Sequence, residues 1–204
     1  MSARSARGGP RLAVDAGGRA RPARWIPSPN HDARPAGTAL SLIVVHGISL
    51  PPGAFGGPGV VELFTNRLDA SAHPYYATVA ALRVSAHFFI RRNGELLQFV
   101  RCGDRAWHAG VSTWRGRSGC NDFSVGVEIE GTDDTPYTAA QYRRLASLAR
   151  ALARRYPGLA ELAGHADVAP GRKTDPGPAF DWARLAALLA PAGPAVRGAA
   201  GDRV

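Results

Sequence analysis

Two segments of the chain have the hydrophobic patterns of buried strands. Residues 40–45 form a short, continuous apolar run that ends at His46 and a glycine, which is typical of a strand buried on both faces. Over residues 123–129, valine and isoleucine alternate with other residues. Because successive side chains of a strand point to opposite faces, this alternation places Gly126, Glu128 and Glu130 together on the face opposite the apolar side chains.

A hairpin is predicted between these two strands. Residues 86–91 and 95–100 are strand-like runs that flank Asn93 and Gly94. Asn-Gly is the dipeptide that a two-residue type I′ turn favours. The pattern therefore predicts two adjacent antiparallel strands.

Helical periodicity is clearest over residues 138–156. Apolar residues recur there at helical spacing, Thr138 and Gln141 have the spacing of a capping box, and Pro157-Gly158 ends the pattern. Shorter helices are predicted over residues 60–68 and 181–189. Strands followed by helices in this order indicate an α/β (α+β) fold, in which helices flank a sheet.

Both ends of the chain are rich in Gly, Pro, Ala and Arg. Residues 1–24 are predicted to be a disordered basic arm, residues 25–190 the folded domain, and residues 191–204 a flexible tail. The formal net charge is +9, and residues 1–35 contribute +5 of it, from seven Arg and two Asp. Most of the excess charge therefore lies outside the predicted domain, which argues against nucleic-acid binding as the main function.

Cysteine content and hydropathy restrict where the protein acts. Cys102 and Cys120 resemble neither a disulfide framework nor a structural zinc site, so two reduced, partly buried thiols are expected. No stretch approaches the roughly 20 apolar residues that span a bilayer, and the first 24 residues lack the apolar core of a secretion signal. We therefore expect a cytoplasmic protein that contacts no membrane.

Candidate chemistry is concentrated at His46 and in one loop. His46 stands at the end of a buried strand, where α/β folds place their sites. His165 and Asp175 lie in a loop rich in Gly and Pro that also holds Lys173, the one lysine among 25 basic residues. Two histidines and one carboxylate could form a catalytic zinc site. An equally tenable interpretation is a rigid surface loop with a salt bridge between Lys173 and Asp175.

Five ordered motifs resolve this choice through a resemblance. The chain resembles the N-acetylmuramoyl-L-alanine amidases of the fold shared with phage T7 lysozyme and the peptidoglycan recognition proteins. The matching segments are residues 44–53 (VVHGISLPPG), 82–87 (LRVSAH), 105–110 (RAWHAG), 121–128 (NDFSVGVE) and 164–182 (GHADVAPGRKTDPGPAFDW). The chain departs from the family at Gly47 and Gly119, where members often carry Asn and Arg.

The resemblance implies a single zinc amidase domain over residues 25–190, with a central mixed β-sheet. It also implies one zinc ion per chain, held by His46, His165 and Asp175. The family pattern maps the catalytic carboxylate onto Glu128 and the catalytic lysine onto Lys173, with Glu130 as a rival carboxylate on the same strand face.

Other contacts of the substrate are expected from three further residues of the motifs. Arg83 could pair with a carboxylate of the peptide stem, and Trp107 and His108 could line the cleft. The implied reaction is hydrolysis of the amide that joins (1,6-anhydro)-N-acetylmuramic acid to L-alanine, in peptidoglycan recycling by a monomer. The alternatives are an exported amidase that acts on polymeric peptidoglycan and a binding module without catalysis.

Overall fold

The computed structural model describes residues 11–197, and a seven-stranded mixed sheet forms their centre. The strands are β1 (Ala13–Val14), β2 (Ala20–Arg21), β3 (Arg24–Trp25), β4 (His31–Ala33), β5 (Leu42–Ile48), β6 (Phe88–Ile90), β7 (Leu96–Gln98), β8 (Asp104–Ala106), β9 (Thr113–Trp114), β10 (Arg117–Ser118), β11 (Ser124–Glu130), β12 (Glu161–Gly164) and β13 (Ala195–Val196). The helices are α1 (Gly59–Phe64), α2 (Pro74–Val79), α3 (Ala139–Arg155), α4 (His165–Val168) and α5 (Trp182–Leu189).

The strand order of the sheet is β13-β12-β5-β11-β6-β7-β3. Strand β5 pairs in parallel with β11 on one side and with β12 on the other. In this register Glu128 of β11 lies opposite His46 of β5, and Gly164 lies opposite Val45. The carboxyl ends of three neighbouring strands therefore meet at one edge, and this confirms the predicted mixed sheet.

One face of the sheet is covered by α3 and α5. Ile43 and Val45 of β5 and the apolar residues of β11 are buried there in one cluster with Leu145 and Leu148 of α3. The capping box predicted for α3 is present: the Thr138 hydroxyl accepts from the Gln141 main-chain N–H, and the Gln141 side chain accepts from the Thr138 N–H. The amphipathic pattern and the cap together fix this helix on the sheet.

Shorter helices cover the opposite face. Helix α1 packs on the hairpin through Leu63 and Phe64, which belong to a cluster with Phe89 and Leu97. The helix ends at Phe64 rather than at residue 68 as the sequence predicts, and Asn66 has a φ of 57°. A left-handed residue at this position does not continue a right-handed helix, which explains the earlier end.

The predicted hairpin is present, but its turn is not of type I′. Strands β6 and β7 pair antiparallel, and the Gly94 N–H donates to the Arg91 carbonyl. This bond makes Arg92 and Asn93 the central residues of the turn. Neither has a positive φ, whereas type I′ needs one at both, and the positive φ of 84° falls on Gly94, which follows them.

Residues 11–24 are folded, so the prediction of a disordered arm is wrong for them. Leu12 and Ala20 are buried in the same cluster as α3, and Gln98 bonds to the main chain of Ala20 and Gly18. Two apolar side chains and a buried amide partner fix a segment whose composition suggests disorder. Residues 1–10 lie outside the described part of the chain.

The predicted flexible tail is also partly ordered. Strand β13 pairs in parallel with β12 and extends the central sheet as its last strand. Main-chain bonds from Ala195 to Ala160 and from Arg197 to Leu162 hold it. The prediction for residues 191–204 is therefore wrong up to residue 197, and the remaining residues fall outside the described range.

Two further expectations concern the cysteines and the membrane. Cys102 and Cys120 are free thiols, and both are fully buried rather than partly buried. Between residues 11 and 197, no helix has the length and apolar character that crossing a membrane requires.

Candidate metal and catalytic site

A cavity of about 420 Å³ opens at the carboxyl ends of β5, β11 and β12. His46 lies near the end of β5, His165 follows β12 directly, and Asp175 lies in the loop after α4. Seven of the eight residues singled out in the sequence line this cavity: His46, Trp107, His108, Glu128, His165, Lys173 and Asp175. His46 and Asp175, which are 129 positions apart in the chain, thus meet because the parallel strands end side by side.

Three ligand atoms converge on the cavity floor. The Nδ1 atoms of His46 and His165 are 2.9 Å apart. The Oδ2 atom of Asp175 lies 3.3 Å from the first and 3.1 Å from the second. Two imidazole nitrogens and one carboxylate oxygen therefore form a compact triangle, and they are the one such metal-ligating group within residues 11–197.

The triangle fits a zinc ion. Ligand atoms held tetrahedrally at about 2.0–2.1 Å from zinc are separated by about 3.3 Å, which is close to the three distances here. Three protein ligands of the N and O type leave a fourth position open, as in catalytic rather than structural zinc sites. On its outer side, the ring of His165 has its Nε2 atom 3.2 Å from the Ala109 carbonyl. A proton on that nitrogen leaves Nδ1 free as a ligand.

The charges of the triangle suit a cation. Burial lowers the pKa of His46 to about 4, although Asp175 opposes the shift, so the imidazole is neutral at physiological pH. Burial also disfavours the charge of Asp175, but hydrogen bonds with His165 and His46 outweigh it and lower the carboxyl pKa below its usual range. A neutral imidazole and an ionised carboxylate are the forms that bind metal.

Glu128 is a buried carboxyl group that points into the same cavity. It is 8% exposed, and its Oε2 atom has no hydrogen-bond partner. Burial, and then the negative charge of Asp175, raise the pKa of Glu128 well above the usual value. An unpartnered carboxylate costs free energy, and its retention in a cleft is a feature of groups that transfer protons.

Both carboxylate oxygens of Glu130, the rival of Glu128, are bonded to other parts of the protein. Its two oxygens accept from the main-chain N–H groups of Gly56 and Arg92, and Arg91 forms an ion pair with it. It does not line the cavity. The geometry therefore favours Glu128 as the group available for chemistry.

Lys173 is exposed and stands on the cavity wall. Among the ion pairs of residues 11–197, none joins it to Asp175, whose Oδ2 atom faces the two histidines instead. The interpretation of this loop as a surface salt bridge is thus not supported, and the ammonium remains free to meet a ligand.

Arg83 is the one predicted site residue that the structure does not bring to the cavity. It is exposed, and its guanidinium donates to the carbonyls of Ala80, Ala81 and Leu82 around the end of α2. Trp107 does line the cavity, and its indole N–H donates to Asp32. A substrate contact of Arg83 stays a prediction that this geometry does not support.

The two departures from the family pattern have local structural reasons. A Cβ atom on Gly47 would lie 2.4 Å from the hydroxyl oxygen of Tyr137, so this Tyr occupies the space. Gly119 has a φ of 74°, a conformation that strains any residue with a Cβ atom. Both glycines are therefore consistent with their surroundings in this chain.

Sequence reasoning missed two residues next to the site. A Cβ atom on Gly126 would lie 2.4–2.6 Å from atoms of the His108 ring, so the ring rests directly on this glycine. Ser124, two positions before it, has its hydroxyl 3.2 Å from the Nε2 atom of His108. The alternation of β11 placed both on the face of Glu128, and that was the available signal.

The fold and this site together define an enzyme of the hydrolase class, and the comparisons with known proteins say which one it resembles. The family model for N-acetylmuramoyl-L-alanine amidase matches residues 36–178. Over 170 residues the chain is 58% identical to the 1,6-anhydro-N-acetylmuramyl-L-alanine amidase AmpD of Citrobacter freundii, which covers 83% of this chain and 91% of that protein. The chain belongs to the N-acetylmuramoyl-L-alanine amidase family.

Solved structures agree with this assignment. A crystal structure of a selenomethionine derivative of AmpD superposes with a TM-score of 0.84 at 56% identity, and covers 86% of this chain and 98% of that one. The AmiD amidase of Escherichia coli was solved with anhydro-N-acetylmuramic acid-L-Ala-D-γ-Glu-L-Lys. It superposes with a TM-score of 0.51 at 27% identity, and covers 87% of this chain and 65% of AmiD.

Proposed function

We propose that this amidase uses one zinc ion per chain to hydrolyse the amide between 1,6-anhydro-N-acetylmuramic acid and L-alanine in soluble muropeptides. The observation that carries the proposal is the convergence of His46, His165 and Asp175 beside the unpartnered carboxyl of Glu128. A metal triangle and a free acid-base group in one cavity are the parts that amide hydrolysis needs.

Zinc bound by the triangle would supply a Lewis acid and an activated water at neutral pH. Glu128 then takes a proton from the attacking water at its free Oε2 atom. It returns that proton to the nitrogen of L-alanine as the C–N bond breaks. Its raised pKa suits both steps, because the group must hold the proton between them.

Lys173 acts on the oxygen atom of the amide that is cleaved. Its ammonium neutralises the negative charge that develops on the amide oxygen, which is greater in the transition state than in the substrate. It is exposed on the cavity wall and without a carboxylate partner among the described residues, so it can approach the substrate without breaking an ion pair.

The substrate class rests on the relatives. The Citrobacter enzyme is named for the 1,6-anhydro compound, and AmiD was solved with an anhydro-muramyl peptide. Polymeric peptidoglycan is the alternative substrate. A binding module without catalysis is less consistent with a complete ligand triangle. A role in the cytoplasm as a monomer without a nucleic-acid partner stays a prediction from the sequence.

The test is hydrolysis of anhydro-muramyl tripeptide by the purified protein, before chelation, after chelation and after return of zinc. Activity that disappears with the chelator and returns with zinc supports the reaction and the metal together. The same assay on intact peptidoglycan sacculi separates the two substrates. Zinc bound at one equivalent without cleavage of either substrate would contradict the proposal.

A further inference from the structure

A chain of hydrogen bonds runs from the metal triangle into the protein. The Nε2 atom of His46 lies 3.0 Å from Nδ1 of His108, and Nε2 of His108 lies 3.2 Å from the Ser124 hydroxyl. That hydroxyl lies 2.5 Å from the main-chain carbonyl oxygen of Cys120. Each link joins one donor to one acceptor, so the direction of the whole chain is set at one end.

The carbonyl of Cys120 sets that direction because it can only accept. The Ser124 proton is therefore committed to Cys120, and the Ser124 oxygen must accept from His108. His108 then carries its proton on Nε2 and accepts at Nδ1, so His46 must donate from Nε2. This places the lone pair of His46 on Nδ1, the atom that faces His165 and Asp175. If His108 instead donated to Nε2 of His46, the proton of His46 would lie on Nδ1 and would block metal binding.

The surroundings of His108 are shaped to hold its ring in this place. Its main-chain N–H and that of Ala109 both donate to the Asn121 side-chain oxygen, at 3.1 and 2.8 Å. The ring lies over Gly126, where a Cβ atom would be 2.4 Å from the nearest ring atom. A glycine in the middle of a buried strand, opposite Val44, leaves room for the ring.

We propose that His108 is a positioning residue for the metal ligand His46, rather than a contact of the substrate, and that Ser124 and the Cys120 carbonyl set its hydrogen-bond direction. The inference rests on the proposed function, since it requires that the triangle binds zinc. The other histidine ligand, His165, is oriented in the same way by a hydrogen bond from its Nε2 atom to the main-chain carbonyl of Ala109, which no substitution can remove. His108 is therefore the side chain through which ligand orientation can be tested.

The experiment measures the zinc dissociation constant by competition with a chelator, and separately the KM of zinc-saturated protein for anhydro-muramyl tripeptide. His108→Phe keeps a planar ring without an acceptor, and we expect zinc affinity to fall about 10–100-fold. His108→Asn restores an acceptor near the Nδ1 position, and we expect most of the affinity to return. Ser124→Ala removes the link that fixes the direction, and a smaller loss of affinity is expected.

Trp107→Phe is the matched control, because this neighbour lines the cavity and its indole N–H donates to Asp32 rather than to a ligand of the triangle. It should leave the zinc dissociation constant unchanged. Should His108→Phe fail to fold, as judged by circular dichroism of the metal-free protein, His108→Asn and Ser124→Ala still decide the question.

Two results would overturn the inference, and they are distinguishable. If the unaltered protein binds zinc and the His108 and Ser124 variants bind it equally well, with a raised KM in the His108 variants, His108 is a substrate contact. If the unaltered protein binds no zinc, the proposed function fails and this inference fails with it.

Discussion

The two faces of β5 and β11 differ completely, although they belong to the same strands. On one face Val45, Val127 and Ile129 are buried against α3 in an apolar cluster. On the other face, one residue further along each strand, His46 and Glu128 point into the cavity. Side chains of a strand alternate in direction, so two parallel strands can supply the core and the chemistry at once.

The difference is also energetic. The apolar face contributes hydrophobic free energy with every residue it buries. The cavity face buries a carboxyl group without a partner, and burial of such a group opposes folding. We therefore expect substitutions of the buried apolar residues to change stability and those of the residues that line the cavity to change activity, and the following experiments test this separation.

The largest effect is expected from Glu128→Gln. The amide has nearly the same shape but cannot take a proton, so kcat should fall about 10²–10⁴-fold with zinc still bound. Steady-state hydrolysis of anhydro-muramyl tripeptide together with metal analysis measures both. Glu130→Gln, on the same face but bonded to Gly56 and Arg92, should keep its turnover and lose stability. A Glu128 variant with most of its turnover would refute the assignment.

On the apolar face, Ile129→Ala should cost about 2–5 kcal/mol in the free energy of unfolding, because it leaves a cavity in the core against α3. Urea titration of the metal-free protein measures this cost. At a temperature where the variant is folded, its kcat/KM should stay within about 2-fold of the original, since no atom of the site is removed. Ile129→Val is the graded control, at about 0.5–1.5 kcal/mol. A large loss of kcat in the folded variant would show that the two faces are not separable.

Lys173→Arg keeps the positive charge and changes its shape. A planar guanidinium is broader and more weakly hydrated than an ammonium, so it should fit the developing charge on the amide oxygen less well. We expect kcat to fall about 10–100-fold with little change in zinc affinity. Arg172→Lys is an informative comparison, because Arg172 bonds to the Ala109 and Val111 carbonyls and does not line the cavity. Unchanged kcat in the Lys173 variant would show that charge alone suffices.

The smallest effect is a dependence of stability on pH. Burial raises the pKa of Glu128 in the folded protein above its unfolded value of about 4.3. The contribution of this carboxyl to stability is complete below the unfolded pKa and is lost as pH rises through the folded pKa. Glutamine does not titrate.

The free energy of unfolding of Glu128→Gln, relative to the original protein, should therefore increase with pH from about 4.5 upward, by at most about 1.4 kcal/mol per pH unit. Urea titrations in chelator across pH 4.5–8 test this expectation. A difference that is constant over this range would mean that Glu128 is solvated.

The sequence predicted the local parts of the molecule well. The Thr138 cap, the alternation of β11 and the two strands of the hairpin all depend on neighbours in the chain, and all are present. The strand order could not be predicted from local patterns, because β5 pairs with strands about 80 and 120 positions further along the chain. The metal triangle was reached through the family resemblance, and spacing alone left it undecided.

The clearest wrong prediction concerns a segment whose composition suggests disorder although the segment is folded. Residues 11–24 contain the glycines and arginines of a disordered arm, yet Leu12 and Ala20 fill a place in the core that only the folded domain provides. The alternation of β11 placed Ser124 and Gly126 on the face of Glu128, but it could not show their contact with His108, because that contact depends on a loop that folds over β11. Such contacts are tertiary, and a local pattern does not contain them.

Among the 25 basic side chains of this protein, Lys173 alone carries a primary amine. It is exposed on the wall of the cavity that holds the metal triangle. Reagents that acylate amines under mild conditions do not modify guanidinium groups, which stay protonated in proteins. Apart from the amino terminus, such a reagent therefore has one target, and a fluorophore attached there would report directly on occupancy of the cavity.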